Sequence, residues 1–145
     1  MTAFQVQDPD YEARIRRVFE GQPAMATLAV TLSKVGPGEL ELRMPYDLRF
    51  SQQNGFLHAG MVSAALDTAC GLAAYTLMPA QADILTVEFK INLLAPAKGD
   101  NFRFVGSVVK PGRTLIVSEG RAFAHDDTRE KLVATMSATM MTMLR

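Results

Sequence analysis

Residues 51–67 read SQQNGFLHAGMVSAALD and concentrate the side chains able to do chemistry. A polar loop runs into His58-Ala59-Gly60, and an apolar helical pattern begins there. A helix start carries backbone N–H groups with no partner inside the helix. Small residues at positions 59 and 60 would let a ligand oxygen come close to them. Donors placed that way, at the positive end of a helix dipole, suit a carbonyl oxygen that turns negative during reaction. The plainer reading is open too: His58 caps the helix and Gly60 allows tight packing. Asp67 is the second candidate. It is an ionisable group within an apolar helix, and such a group is rarely buried without a partner. It could be a general base, or it could hold a structural hydrogen bond.

Spacing constrains how these groups could cooperate. Eight residues separate Ala59 from Asp67, so on an ideal helix they lie about 80° apart around the axis and about 12 Å apart along it. One small reacting centre cannot easily touch both. A two-fold pair of antiparallel helices would bring the helix start of one copy to Asp67 of the other, which predicts a homodimer.

The elements that must position these residues follow from periodicity. Asp8-Pro9-Asp10 opens a short helix over about 8–21, with Ile15, Val18 and Phe19 on one face and Arg14, Arg16 and Arg17 around them. Alternation then predicts a hairpin: Ala26 to Ser33, a turn at Gly36-Pro37-Gly38, and Leu40 to Met44. Pro45 to Gly55 reads as loop, and residues 58–78 as a helix apolar enough to be buried on most sides. Four strands follow: Thr86–Leu94, Phe102–Val109, Thr114–His125 and Lys131–Met143. In the first of these Val87, Phe89, Ile91 and Leu93 alternate with Thr86, Glu88, Lys90 and Asn92. The expected class is α+β, one domain over 1–145, with a curved antiparallel sheet wrapped around one long helix. Open strand edges in such a sheet also favour a second copy.

Composition bounds the function. The 145 residues are 48% hydrophobic, which argues against disorder, and 15 basic side chains balance 15 acidic ones, which gives no nucleic-acid footprint. One cysteine allows no internal disulfide, and with two histidines it makes a zinc site unexpected. Asp8, Asp10 and Glu12 precede any apolar run, unlike a signal peptide, and the apolar stretch from Ala59 to Ala80 is broken by Asp67. The expectation is a cytoplasmic protein without membrane attachment.

On these residues the chain resembles the hotdog-fold acyl-CoA thioesterases, in particular the phenylacetic-acid-degradation (PaaI-like) type, from about Ala24 to the C-terminus. The family's His-Gly-Gly step resembles His58-Ala59-Gly60, and its helix carboxylate, nine residues on, falls on Asp67. Thr86-Val87-Glu88, then Leu94-Ala95-Pro96-Ala97, and the turn Lys110-Pro111-Gly112-Arg113-Thr114-Leu115 match further motifs in order. The first Gly after the His is Ala59 here, which keeps its N–H. Many relatives carry Asn six residues before the His, where this chain has Gln52; Asn54 is the alternative amide.

The resemblance implies hydrolysis of an acyl-CoA thioester across a dimer interface. The N–H of Ala59 or Gly60 would hold the thioester oxygen, assisted by Gln52. The partner's Asp67 would act as base or nucleophile, with Thr86 bonded to the water or the carboxylate and His58 shaping the loop. No metal or resident cofactor is implied; coenzyme A arrives with the substrate, its phosphates meeting Lys110, Gly112, Arg113 and Thr114. A homodimer or dimer-of-dimers tetramer is implied. A non-catalytic acyl-CoA sensor on the same fold is the main alternative, and a hydratase a further one, though His125 beside Asp126-Asp127 reads as a solvated turn residue. Met136, Met140, Met141 and Met143 could line an adaptable acyl pocket or fill core and interface.

Overall fold

A computed structural model describes residues 3–145. Helix α1 (Tyr11–Glu20) and the one-turn α2 (Pro23–Thr27) precede β1 (Thr31–Gly36) and β2 (Glu39–Pro45). Helix α3 (Ala59–Tyr75) follows, then β3 (Ala82–Leu93), β4 (Asn101–Lys110), β5 (Leu115–His125) and β6 (Glu130–Leu144). All pairings are antiparallel, in the order β1-β2-β4-β5-β6-β3. This six-stranded sheet packs on α3 and has the hotdog architecture that the resemblance implies.

Strand alternation supplies the inner face. Leu40, Leu42 and Met44 on β2, Phe102 and Phe104 on β4, Ile116 on β5, and Val133, Met136 and Met140 on β6 are all buried. Against them lie Val62, Ala65, Leu66, Ala69, Cys70 and Ala73 of α3. Two glycines set how closely the helix seats. A Cβ at Gly106 would fall 2.2 Å from the Ala69 carbonyl oxygen, and one at Gly120 would fall 2.8 Å from Cys70 Sγ. The Cys70 thiol is correspondingly inert: burial, with the charges of Asp67 and Glu119, pushes it up to about 12.

Two expectations are corrected. The strand expected from Ala26 begins only at Thr31, because Pro23 starts a helical turn at its favoured first position. Ala29, at φ 56°, then turns the chain into β1. Leu28 and Val30 still reach the core, so the alternation recorded burial rather than strand. The second correction concerns β3, which starts at Ala82 and carries a register shift between Thr86 and Glu88. Thr86 pairs with the inward Met140, whereas Glu88 pairs with Thr139, whose hydroxyl donates to Glu88 Oε1. A one-residue shift changes which face every later side chain takes. Thr86 therefore faces the helix along with Phe89 and Ile91, which plain alternation puts on the opposite side.

The C-terminal end of α3 is closed by an arginine that the sequence placed only among the polar residues of α1. Buried Arg14 donates to the carbonyls of Tyr75 (2.9 Å), Met78 (2.9 Å) and Pro79 (2.6 Å). Its guanidinium also lies 4.4 Å over the Tyr75 ring and pairs with buried Asp8 at 3.3 Å. A cation at a helix C-terminus satisfies orphan carbonyls and opposes the negative end of the dipole.

Candidate active site

The loop before α3 folds back on itself. Gln52 N–H donates to Phe56 O, His58 N–H to Phe50 O and Leu57 N–H to Ala97 O. These bonds bring the loop against the turn after β3. Gln52 Oε1 accepts from the Asn54 N–H at 2.5 Å and the Phe56 N–H at 3.3 Å. Two backbone donors facing one side-chain atom identify it as the oxygen, so the Gln52 amide presents its NH2 as a donor. Gln52 lines a cavity of about 500 Å³ whose other walls include Leu57, Ala59, Val62, Leu93, Ala95 and Val133. Asn54 lies exposed on the loop and does not reach it.

At the helix start, His58 is the N-cap, and its Nδ1 accepts from the Gly60 N–H at 2.8 Å. An accepting Nδ1 puts the ring proton on Nε2. The Met61 and Val62 N–H groups donate to the His58 carbonyl. The two readings of this step thus divide between residues. His58 caps and Gly60 is spent on the cap, while the Ala59 N–H has no protein acceptor among the described residues and Ala59 borders the cavity. With the Gln52 amide it gives two donors at the edge of an otherwise apolar space.

Asp67 lies elsewhere on α3. It lines a separate cavity of about 150 Å³ with Gln22, Thr68, Gly71, Leu72, Ile84 and Thr86. Thr86 donates to Asp67 Oδ1 at 2.8 Å. Burial raises the carboxyl above the usual carboxylate value, the Thr86 hydrogen bond pulls it the other way, and no cation offsets the burial among the described residues. A half-buried carboxylate of that kind suits proton abstraction closer to neutral pH than a solvated one does. No residue borders both cavities. One chain therefore carries the pair of donors and the carboxylate at different places along the helix, as the spacing requires.

The sequence reading missed Gln22. It sits in the break between α1 and α2, where no periodicity marks it, yet its Oε1 accepts from Thr68 Oγ1 at 3.4 Å beside Asp67. The Lys110–Thr114 turn lies apart from the helix start. Gly112 and Arg113 border a cavity with Leu77 and Pro79, just past the far end of α3. Gly112 is required there, since a Cβ would meet the Leu115 carbonyl oxygen at 2.1 Å. Met136 and Met140 are core residues and neither borders the cavity at Ala59. Among the described residues no cluster of three or more His, Cys, Asp or Glu is placed to hold a metal ion, and no helix is long and apolar enough to cross a membrane.

Comparison with known proteins gives this arrangement its family. Residues 54–131 match the family model described as the thioesterase superfamily. A Halobacterium salinarum protein provisionally named an esterase is 30% identical over 135 residues, covering 90% of this chain and 87% of that one. A Saccharolobus solfataricus protein, also provisionally named an esterase, is 37% identical over 92 residues, which span 63% of this chain and 65% of that protein. Among solved structures, a thioesterase family protein from Silicibacter pomeroyi superposes with a TM-score of 0.92 at 51% identity, covering 93% of this chain and 99% of that one. The PaaI protein of the E. coli phenylacetic acid degradation operon superposes at 0.82 with 15% identity over 93% and 94% of the two chains, a likeness of fold alone. The match of the family model over more than half the chain, across the helix that carries Ala59 and Asp67, makes this protein a member of the thioesterase superfamily.

Proposed function

We propose that the protein hydrolyses acyl-CoA thioesters, in the manner of the PaaI-like branch, at a site shared between two copies. The observation that carries this reading is the division of labour along α3. Ala59, whose N–H has no acceptor among the described residues, and Gln52 line one cavity, and a carboxylate with a raised pKa lines another. The two donors hold the thioester oxygen as it becomes negative. Asp67 of the second copy takes a proton from water as the water attacks the carbonyl carbon. Collapse of the tetrahedral intermediate expels the coenzyme A thiolate, which is then protonated, leaving the free acid. Thr86 orients the carboxylate by holding Oδ1, which leaves Oδ2 for the water. The acyl group takes the apolar cavity beside Ala59.

The sheet edge supports the second copy. β3 is an outer strand of 12 residues, and Leu85, Val87, Phe89 and Leu93 along it are between 42% and 58% exposed. A long apolar edge left unpaired invites another strand. Antiparallel pairing of β3 about a two-fold axis continues the sheet and lays the two α3 helices side by side in opposite directions. Dimers of this kind can pair again as a tetramer.

The test is complementation. A panel of aliphatic and aryl acyl-CoAs, followed by thiol release, first identifies a substrate. Asp67→Asn and Gln52→Ala are then prepared separately, and each is expected to lose about 10²-fold in kcat. Mixed dimers regain one intact site per pair, so activity recovers on mixing. Mixtures as inactive as their parents, with subunit exchange verified by mass, would remove the shared-site reading.

A further inference from the structure

The apolar cavity at Ala59 has a neighbour. A second space of about 500 Å³ shares Phe56 and Pro96 with it as common walls. The lining of this second space is of a different chemical character. Three cations, Lys98, Arg129 and Lys131, stand around it, together with the rings of Tyr46 and Phe56. Among the described residues none of the three cations is in an ion pair, whereas Arg14, Arg16, Arg43, Arg49, Arg103 and Arg145 each are. Their backbones are fixed. The Lys98 N–H donates to Pro96 O at 2.9 Å, the Arg129 N–H to Asp126 Oδ1 at 3.1 Å, and Lys131 pairs with Ala124 across the β5–β6 ladder. Tyr46 is held by its hydroxyl donating to Gly55 O at 2.6 Å.

Two acids, Asp100 and Asp126, share the lining without outweighing the three cations. Asp126 is turned into its own turn, where one oxygen accepts from the Thr128 N–H, the Thr128 hydroxyl and the Arg129 N–H. These bonds, with a smaller contribution from the Arg129 charge, hold the Asp126 carboxyl below the usual value, so it stays ionised, and three cations against two carboxylates leave one net positive charge on the lining.

We propose that this cavity binds the phosphorylated adenine nucleotide of the coenzyme A thioester, with the base against Tyr46 and Phe56 and the phosphates on Lys98, Arg129 and Lys131. The inference rests on the thioesterase reading and adds where the leaving group is held. Flat rings and unpaired cations around one space match the two halves of a nucleotide, a base that stacks and phosphates that need charge-assisted hydrogen bonds. The volume lies within the range of small-molecule sites. The Lys110–Thr114 turn, to which the family resemblance assigns the phosphates, offers one cation, Arg113, to a cavity whose other polar side chains are Gln5, Gln7, Gln81 and Thr142.

The test compares one acyl group carried on coenzyme A and on pantetheine, which lacks the nucleotide. Lys98, Arg129 and Lys131 are exposed, so the triple alanine variant is expected to fold normally. Its KM for acyl-CoA should rise about tenfold or more, the loss expected for charge-assisted hydrogen bonds, with kcat unchanged. Its kinetics on acyl-pantetheine should equal those of the wild type. Adenosine 3′,5′-bisphosphate should inhibit the wild type competitively against acyl-CoA and the variant far more weakly. Unchanged KM and inhibition, or equal losses on both substrates, would overturn the nucleotide site and leave the hydrolase reading intact. If the wild type cleaves neither substrate, the hydrolase reading fails instead, and calorimetric binding of adenosine 3′,5′-bisphosphate that the triple variant loses would still support the cavity.

Discussion

The two ends of α3 are built to opposite rules. At the C-terminal end the carbonyls of Tyr75, Met78 and Pro79 accept from Arg14, the Thr76 hydroxyl donates to Ala73 O and accepts from the Gly38 N–H, and Gln7 Nε2 donates to Leu77 O. At the N-terminal end His58 takes the Gly60 N–H and its carbonyl takes two more, yet the Ala59 N–H, beside an apolar cavity, has no acceptor among the described residues. An orphan donor is a weakness in a fold and an asset in a site that must stabilise developing charge. The closed end anchors the helix to α1 and so lets the open end stay incomplete.

The largest effect should come from breaking the closed end. Arg14→Ala leaves Asp8 buried without its partner and takes a donor from three carbonyls, of which Tyr75 O and Pro79 O keep a backbone N–H and Met78 O keeps none among the described residues, so stability should fall by about 3–5 kcal/mol in urea denaturation. A variant within 1 kcal/mol of wild type would mean that the carbonyls find other partners at little cost.

The open end is best tested by removing its donor without disturbing the helix. Ala59 is the first helical position, where proline is well tolerated, and His58 already has the extended backbone that a following proline requires. Ala59→Pro should keep its melting temperature and lose about 10²–10³-fold in kcat. Undiminished turnover would show that the Ala59 N–H does not hold the thioester oxygen.

Between the two ends, Asp67 trades stability for function. Its folded-state pKa is raised, so its contribution to stability is present below the unfolded-state pKa and is lost as pH rises through the folded one. At neutral pH the ionised group is therefore a burden. Asp67→Asn should melt higher than wild type there, with the difference shrinking as the pH falls. A lower melting temperature for the variant at pH 7 would contradict this account of the carboxylate.

The smallest expected effect is a displacement of the pH profile. The Thr86 hydroxyl lowers the Asp67 pKa against the effect of burial. Thr86→Val keeps the shape and removes the donor, so the acidic limb of kcat/KM should move to higher pH. A limb that stays in place would mean that some other group sets it.

The sequence by itself determined the parts list. The apolar run after residue 58 fixed α3, alternation fixed most of the strands, and a charge within an apolar helix singled out Asp67, because these signals depend only on residue type and period. The spacing along one helix also separated Asp67 from the helix start. What the tertiary structure decided were matters of direction. Whether Ala59 or Gly60 offers its N–H depended on where the His58 ring turns. The Gln52 amide was oriented by two backbone donors from its own loop. Thr86 reached Asp67 only through the register shift in β3, which no alternation pattern contains. Arg14, one of three arginines in a four-residue stretch, became a buried cap because α3 ends beneath it. The Thr86 and Arg14 contacts join segments far apart in the chain, and the His58 and Gln52 contacts depend on how a side chain turns within its own loop; the period and type of residues record neither.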